Sequence, residues 1–342
     1  MSLLSRRAIL ASAAAAPFAN AFAAPAPGSY GMVRRKSPAL DAIVAPDAMV
    51  EQIGWGYQWS EGPAWVKNGG YLLFSDPRAN IMYRWTPGAA PTIFMQPSGL
   101  AGDPNPAIRE AGSNGLTLDA NGQLVMSDSG TRAVARVDLA TKKKTLLADR
   151  FEGKRFNSPN DLCVAKSGAI YFTDPPFGLA DPNNSPLKEL AFSGVYRLDP
   201  NGALALIDKT LSRPNGIALS ADEGTLYVSN SDPAQPVLKA YALGDDGIPQ
   251  SSSIAFDMKP LMTPNAQGLP DGLKIDEDGN IFVSGPGGIL ILSKEANLLG
   301  VINVTGRTTS NCAFGEDGST LFITASDIVA RVKLKTKAAN WS

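Results

Sequence analysis

Six short segments place an oxygen-bearing side chain just ahead of an apolar, strand-like run. They are Glu61-Gly62-Pro63-Ala64-Trp65, Asn114-Gly115-Leu116-Thr117-Leu118, Asn160-Asp161-Leu162-Cys163-Val164, Asn215-Gly216-Ile217-Ala218-Leu219, Asp271-Gly272-Leu273-Lys274-Ile275 and Asn311-Cys312-Ala313-Phe314. If the six lead residues converge, two carboxylates and four amides surround one point. That donor set suits a hard cation: Ca²⁺ takes roughly six to eight oxygens, and Mg²⁺ and Mn²⁺ accept the same donor type. Two carboxylates also balance the charge of a dication. An isolated Asn-Gly is ordinarily a turn, because both residues tolerate left-handed backbone angles. Glu61 is a poor turn residue, and its presence in the same slot favours a ligand role.

The chain contains no histidine. This removes Ser-His-Asp and Cys-His nucleophiles, histidine-ligated zinc and an imidazole general base. Acid-base work is left to carboxylates and to water held at an ion. Gly285-Pro286-Gly287-Gly288 lacks the Lys-Ser/Thr and the strand-to-helix setting of a phosphate loop. Acidic turns such as Asp276-Glu277-Asp278-Gly279 read as solvated hairpin tips.

The elements that must position the six lead residues recur with them. Leads at 61, 114, 160, 215, 271 and 311 are spaced by 53, 46, 55, 56 and 40 residues, the period of a propeller blade. Each lead opens a strand, a polar turn and a second strand, with a third and often a fourth strand following, as in Ala133 to Val137 with Thr145 to Ala148. The pattern predicts an all-β, six-bladed β-propeller with an axial metal site. Innermost strands of a propeller run in one direction, so residues at one phase form a ring at one mouth of the channel.

At 342 residues, 44% apolar and 18% charged, the chain is long enough for one large repeat fold. Thirty-one basic residues against 32 acidic ones give a net charge of -1, which offers no footprint for nucleic acid and points to a small-molecule partner. Residues 1–23 read as a signal peptide: Ser5-Arg6-Arg7, the Ala-rich stretch Ala8 to Ala19, and Ala21-Phe22-Ala23 as cleavage site. The paired arginines resemble a twin-arginine signal, with a Sec signal as the alternative, and either predicts a periplasmic or secreted protein. The apolar run is too short to span a membrane comfortably, so none is expected in the mature form. Residues 24–50 read as an N-terminal extension and 51–342 as the propeller. The only cysteines, Cys163 and Cys312, read as buried thiols.

Glu61-Gly62-Pro63-Ala64-Trp65, Arg155-Phe156-Asn157-Ser158-Pro159-Asn160-Asp161, Arg213-Pro214-Asn215-Gly216-Ile217-Ala218 and Leu269-Pro270-Asp271-Gly272-Leu273 resemble the signature segments of the senescence marker protein, gluconolactonase and luciferin-regenerating enzyme family. The resemblance runs from about Trp55 to Ala325 and is closest to bacterial gluconolactonases, through Tyr171-Phe172-Thr173-Asp174-Pro175-Pro176-Phe177-Gly178. It implies a six-bladed propeller with one divalent metal in the channel, Ca²⁺ first, with Zn²⁺, Mn²⁺ or Mg²⁺ as alternatives. The implied ligands are Glu61, Asn160, Asn215 and Asp271, a subset of the ring. Asn114 and Asn311 are then substrate-contacting neighbours, and the segment of Arg155, Asn157 and Ser158 supplies further substrate contacts. Many bacterial relatives carry histidine where this chain has Ser129, so an accessory role there is expected to be lost.

The activity implied is metal-dependent hydrolysis of a sugar lactone of the glucono-1,5-lactone type to the aldonic acid. Asp271 is the candidate base, with a water held at the ion and oriented by Asp271 as the equivalent alternative. The rivals are a broader lactonase, esterase or phosphotriesterase of paraoxonase type, and a non-catalytic propeller that serves as a binding platform. The loops from Gly99 to Ala111 and from Leu179 to Ala191 are the candidate lids.

Overall fold

The computed structural model describes residues 28–341. The expected signal peptide lies outside the described residues. Six antiparallel sheets form the blades of a propeller, and a two-stranded hairpin, Arg150–Phe151 with Lys154–Arg155, projects between the second and third. In the first four blades the strands follow chain order from the axis outward, as in Glu61–Val66, Tyr71–Asp76, Ile81–Trp85 and Thr92–Met95. Neighbouring blades touch chiefly through their first strands, which places those strands around the axis. No helix among the described residues is long and apolar enough to cross a membrane.

The segment 24–50, expected as an extension, contains a blade strand: Gly31–Arg35 pairs with Leu298–Val304 as a fifth strand of the fifth blade. Val50–Trp55, at the start of the segment expected as the propeller, pairs with Ile328–Lys333 to complete the sixth. The N-terminal segment thus closes the ring of blades, which ties the two ends of the chain together.

Strand alternation explains why the blades stack. Successive side chains point to opposite faces, so Leu72 and Phe74 join an apolar cluster with Phe322 and Val329 of the sixth blade. Leu73, between them, joins Leu116, Leu124 and Met126 of the second. Six such clusters fill the interfaces between blades, leaving the axis to polar residues. Both cysteines are free thiols, Cys312 buried and Cys163 half-buried.

The turn after Asp276 is solvated at its tip, where Glu277 and Asp278 are exposed. Asp276 itself is fully buried and accepts from the backbone of Asp278 and Asn280 and from the Thr336 hydroxyl, which moors the C-terminal segment. The two lid loops are joined to one another. Ile108 bridges to Leu179, and the amides of Arg109 and Glu110 both donate to the Gly178 carbonyl at 2.8 and 3.1 Å.

Candidate active site

Each lead residue lies within two residues of the start of the innermost strand of its blade, and the glycine that follows four of them explains how tightly the ring is drawn. A Cβ at Gly62 would strike the Asn114 carbonyl, and one at Gly216 would strike the Asp271 carbonyl. These glycines stand where the backbone of the next blade crosses, so close approach selects glycine there as well as turn chemistry. The register slips at the same place, between Glu61 and Ala64, Ser113 and Leu116, Pro214 and Ile217, and Thr309 and Asn311. Such bulges turn a side chain out of the sheet plane and toward the axis.

The structure brings Glu61, Asn114, Asn160, Asn215 and Asp271 to one cavity of about 700 Å³. Asn311 does not line it. Its amide instead lies deeper on the axis and donates to Asp161 Oδ2 at 3.2 Å, while its Oδ1 accepts the Cys312 amide at 2.9 Å. The expected substrate contact at Asn311 thus stands away from the cavity wall, where its side chain supports the buried Asp161.

Arg155 and Asn157, also expected as substrate contacts, likewise lie away from the cavity wall. Arg155 bonds Asp149 at 2.7 Å and the Thr131 carbonyl at the base of the projecting hairpin. Asn157 is fully buried, with its amide on the Asp174 carboxylate and the Phe192 carbonyl. Neither borders the cavity. Ser129 is also packed away, its hydroxyl donating to the Pro159 carbonyl at 2.7 Å.

The electrostatics of the ring are unusual. Glu61 receives the Gly62 amide at 3.0 Å and the Trp59 indole N–H at 3.3 Å. Burial pushes its carboxyl up to about 8, and the charges of Asp161 and Glu110 push the same way. Asp271 is driven well above the usual carboxylate range by burial first, then by the charges of Glu61 and Asp161. The Asn215 amide donates to Ser231 Oγ at 3.0 Å, leaving its buried Oδ1 without a partner, and the Oδ1 of Asn114 is also unpartnered. Crowded carboxylates beside buried acceptors that lack donors are a poor arrangement for an empty protein interior. They are a suitable one for a cation. Among the described residues no three carboxylate or thiol ligands cluster, so the fit requires the amide oxygens as well as Glu61 and Asp271.

The remaining wall was not legible as site chemistry. Arg78, Arg109, Glu110 and Arg213 supply charge, while Trp59, Phe177, Met262, Pro264 and Leu269 supply apolar surface. Glu110 is buried; its Oε1 lies 3.2 Å from Arg109 Nη2 and its Oε2 lacks a partner. Burial raises its carboxyl above the ordinary range. Arg213 and Phe177 stand beside segments read as signatures, which was the available signal; the stretch bearing Met262 and Pro264 offers no periodicity.

Comparison with known proteins agrees with the fold. The model of the SMP-30/Gluconolactonase/LRE-like region matches residues 59–327. The chain is 51% identical over 312 residues to a gluconolactonase of Zymomonas mobilis, covering 90% of this chain and 87% of that one. A solved gluconolactonase structure from Xanthomonas campestris superposes with a TM-score of 0.78 at 34% identity, over 92% of this chain and 99% of the other. A luciferin-regenerating enzyme shares the fold at 19% identity, with a TM-score of 0.67 over 85% of this chain and 97% of the other.

Proposed function

The chain belongs to the SMP-30/gluconolactonase/LRE-like family, and from that premise we propose that it hydrolyses sugar lactones to aldonic acids with the help of one divalent cation. The observation that carries the metal requirement is the pair Glu61 and Asp271, whose charges oppose each other beside the unpartnered Oδ1 of Asn215. Glu61, Asn160, Asn215 and Asp271 would hold the ion, Ca²⁺ first. When bound, it supplies Lewis-acid polarisation of the lactone carbonyl and compensation for the charge that develops on it.

The chain's own residues do the rest. Trp59 fixes the Glu61 carboxylate through its indole N–H, and Ser231 fixes the Asn215 amide. Asp271 is less buried than Glu61 and borders the cavity, and it orients the attacking water and takes its proton. Asn114 offers an unpartnered oxygen to a substrate hydroxyl. The joined loops place Arg109 and Phe177 on the cavity wall.

Initial rates on glucono-1,5-lactone, corrected for spontaneous hydrolysis, test this with and without exhaustive chelation. Turnover that is lost on chelation and restored by Ca²⁺ is expected. A full rate after chelation removes the cation from the reading, and no turnover under any condition removes the lactonase. The apolar wall of Met262, Pro264 and Leu269 favours, as a second reading, lactones or esters with apolar substituents, and a panel including homoserine lactones and aryl esters separates the two. We also propose export through the twin-arginine signal. Arg6→Lys with Arg7→Lys should retain the protein in the cytoplasm, whereas continued periplasmic accumulation in cell fractions would assign a Sec signal.

A further inference from the structure

Three guanidinium groups border the cavity, and two have no assigned work. Arg109 is engaged by Glu110 and by the Phe177 carbonyl. Among the described residues, Arg78 and Arg213 make no ion pair with a carboxylate. Of the carboxylates that feel their charge, Glu110 is paired with Arg109 through Oε1, and the other two are committed to other donors. Asp76 accepts the backbone amides of Gln58, Trp59 and Ala79, and Asp232 accepts the Ser212 hydroxyl and the Ala234 amide.

What positions the two arginines is aromatic. The Arg78 guanidinium stands 5.0 Å from the centroid of the Trp59 ring, and that of Arg213 stands 5.8 Å from the Phe177 ring. Both rings themselves line the cavity. A guanidinium held over a ring face is oriented by it while its N–H donors stay free, and those donors match an oxyanion in a forked geometry. The anchors are firm at the protein end: Trp59 is tied to Glu61 and Asp76, Phe177 to Arg109, and the Arg213 amide to Asn230 Oδ1 at 2.9 Å.

We propose that Arg78 and Arg213 form an oxyanion subsite at the mouth of the cavity, and that the preferred lactones carry an anionic group on the substituent remote from the scissile carbonyl. The inference rests on the lactonase reading and narrows it from sugar lactones in general to acidic ones. A carboxylate and a phosphate both supply the chemistry, and matched substrates distinguish them.

The test uses the full mature protein and two pairs of lactones. One pair sets 6-phosphoglucono-1,5-lactone against glucono-1,5-lactone; the other sets glucaro-1,4-lactone, with its free carboxylate, against galactono-1,4-lactone. At least one acidic member should exceed its neutral partner in kcat/KM by about tenfold, and whichever does so names the oxyanion. Raising the salt concentration should increase KM for the acidic member selectively. R78Q and R213Q should each raise KM for the acidic lactone about tenfold more than for the neutral one, with kcat little affected. R78K and R213K, which keep the charge but lose the fork, should fall between and serve if a glutamine variant does not fold. Equal rates within both pairs, or equal losses on both members, overturn the subsite. Turnover of neutral lactones alone also overturns it while leaving the lactonase reading intact, whereas no turnover of any lactone overturns both.

Discussion

Asp174 of the third blade and Glu61 of the first are both buried carboxylates, yet their surroundings differ in kind. Asp174 accepts the Asn157 and Ser158 amides at 2.8 Å each and the Asn157 side chain at 3.1 Å. Every strong donor within reach comes from one loop, and the carboxylate serves to hold that loop. Glu61 has two donors and three acidic neighbours, Asp161, Glu110 and Asp271. Burial raises both carboxyls, Asp174 to about 7 and Glu61 to about 8, but the second is raised further by like charge. A carboxylate surrounded by donors is structural; one surrounded by other carboxylates awaits a cation.

Removing a ring charge should have the largest effect. Glu61→Gln or Asp271→Asn is expected to abolish measurable lactone turnover and to weaken Ca²⁺ binding by about a hundredfold or more, since each removes one of two anionic ligands. In chelator the variants should melt at or above the wild-type temperature, because a repulsion has been relieved. Isothermal titration and thermal melts decide it, and unchanged Ca²⁺ affinity in both variants would sink the ring assignment.

The next effect is the pH dependence. A carboxyl whose folded pKa is raised favours the folded state most below its unfolded pKa, and that contribution is lost as pH rises through the folded value. For chelated protein, stability should therefore fall as pH climbs from about 5 through 7 and 8, with Asp174 and Glu61 both contributing. Saturating Ca²⁺ should erase the Glu61 part and leave the Asp174 part, and Ca²⁺ affinity should rise over the same range as protons cease to compete. Melting curves from pH 5 to 9 with and without Ca²⁺ test this. Identical slopes in the two series would mean the ring does not hold the ion.

The propeller and most of the ring were legible because they repeat. Six leads at one phase, each followed by two strands, define blades, and the glycines that follow several leads carry the crossing of adjacent backbones. The added strand Gly31–Arg35 was not legible, since a short strand far from its partners in sequence looks like an extension. Asn311 shares the phase of the ring yet turns to Asp161, a partner that periodicity does not reveal. The cavity's charged and apolar wall comes from loops and strand ends whose positions depend on cross-loop bonds such as that of Arg109 to Phe177. Arg155 and Asn157 belong to a signature segment, but their work is structural, and only the contacts to Asp149 and Asp174 show it.

That last distinction predicts the smallest effects. Asn157→Ala strips a buried carboxylate of a donor and leaves the Phe192 carbonyl without its amide, at a cost of about 1–3 kcal/mol. Arg155→Ala breaks a pair whose two side chains are each 29% exposed, at a cost of about 0–1 kcal/mol. A role in substrate binding would give the opposite signature, a raised KM with little change in melting temperature. Both variants should therefore lower the melting temperature, Asn157→Ala by more, while KM for the lactone and Ca²⁺ affinity stay within about twofold of wild type. A KM increase of tenfold in either variant, at unchanged stability, would return that residue to the substrate site and break the separation between the donor-rich carboxylate and the ring.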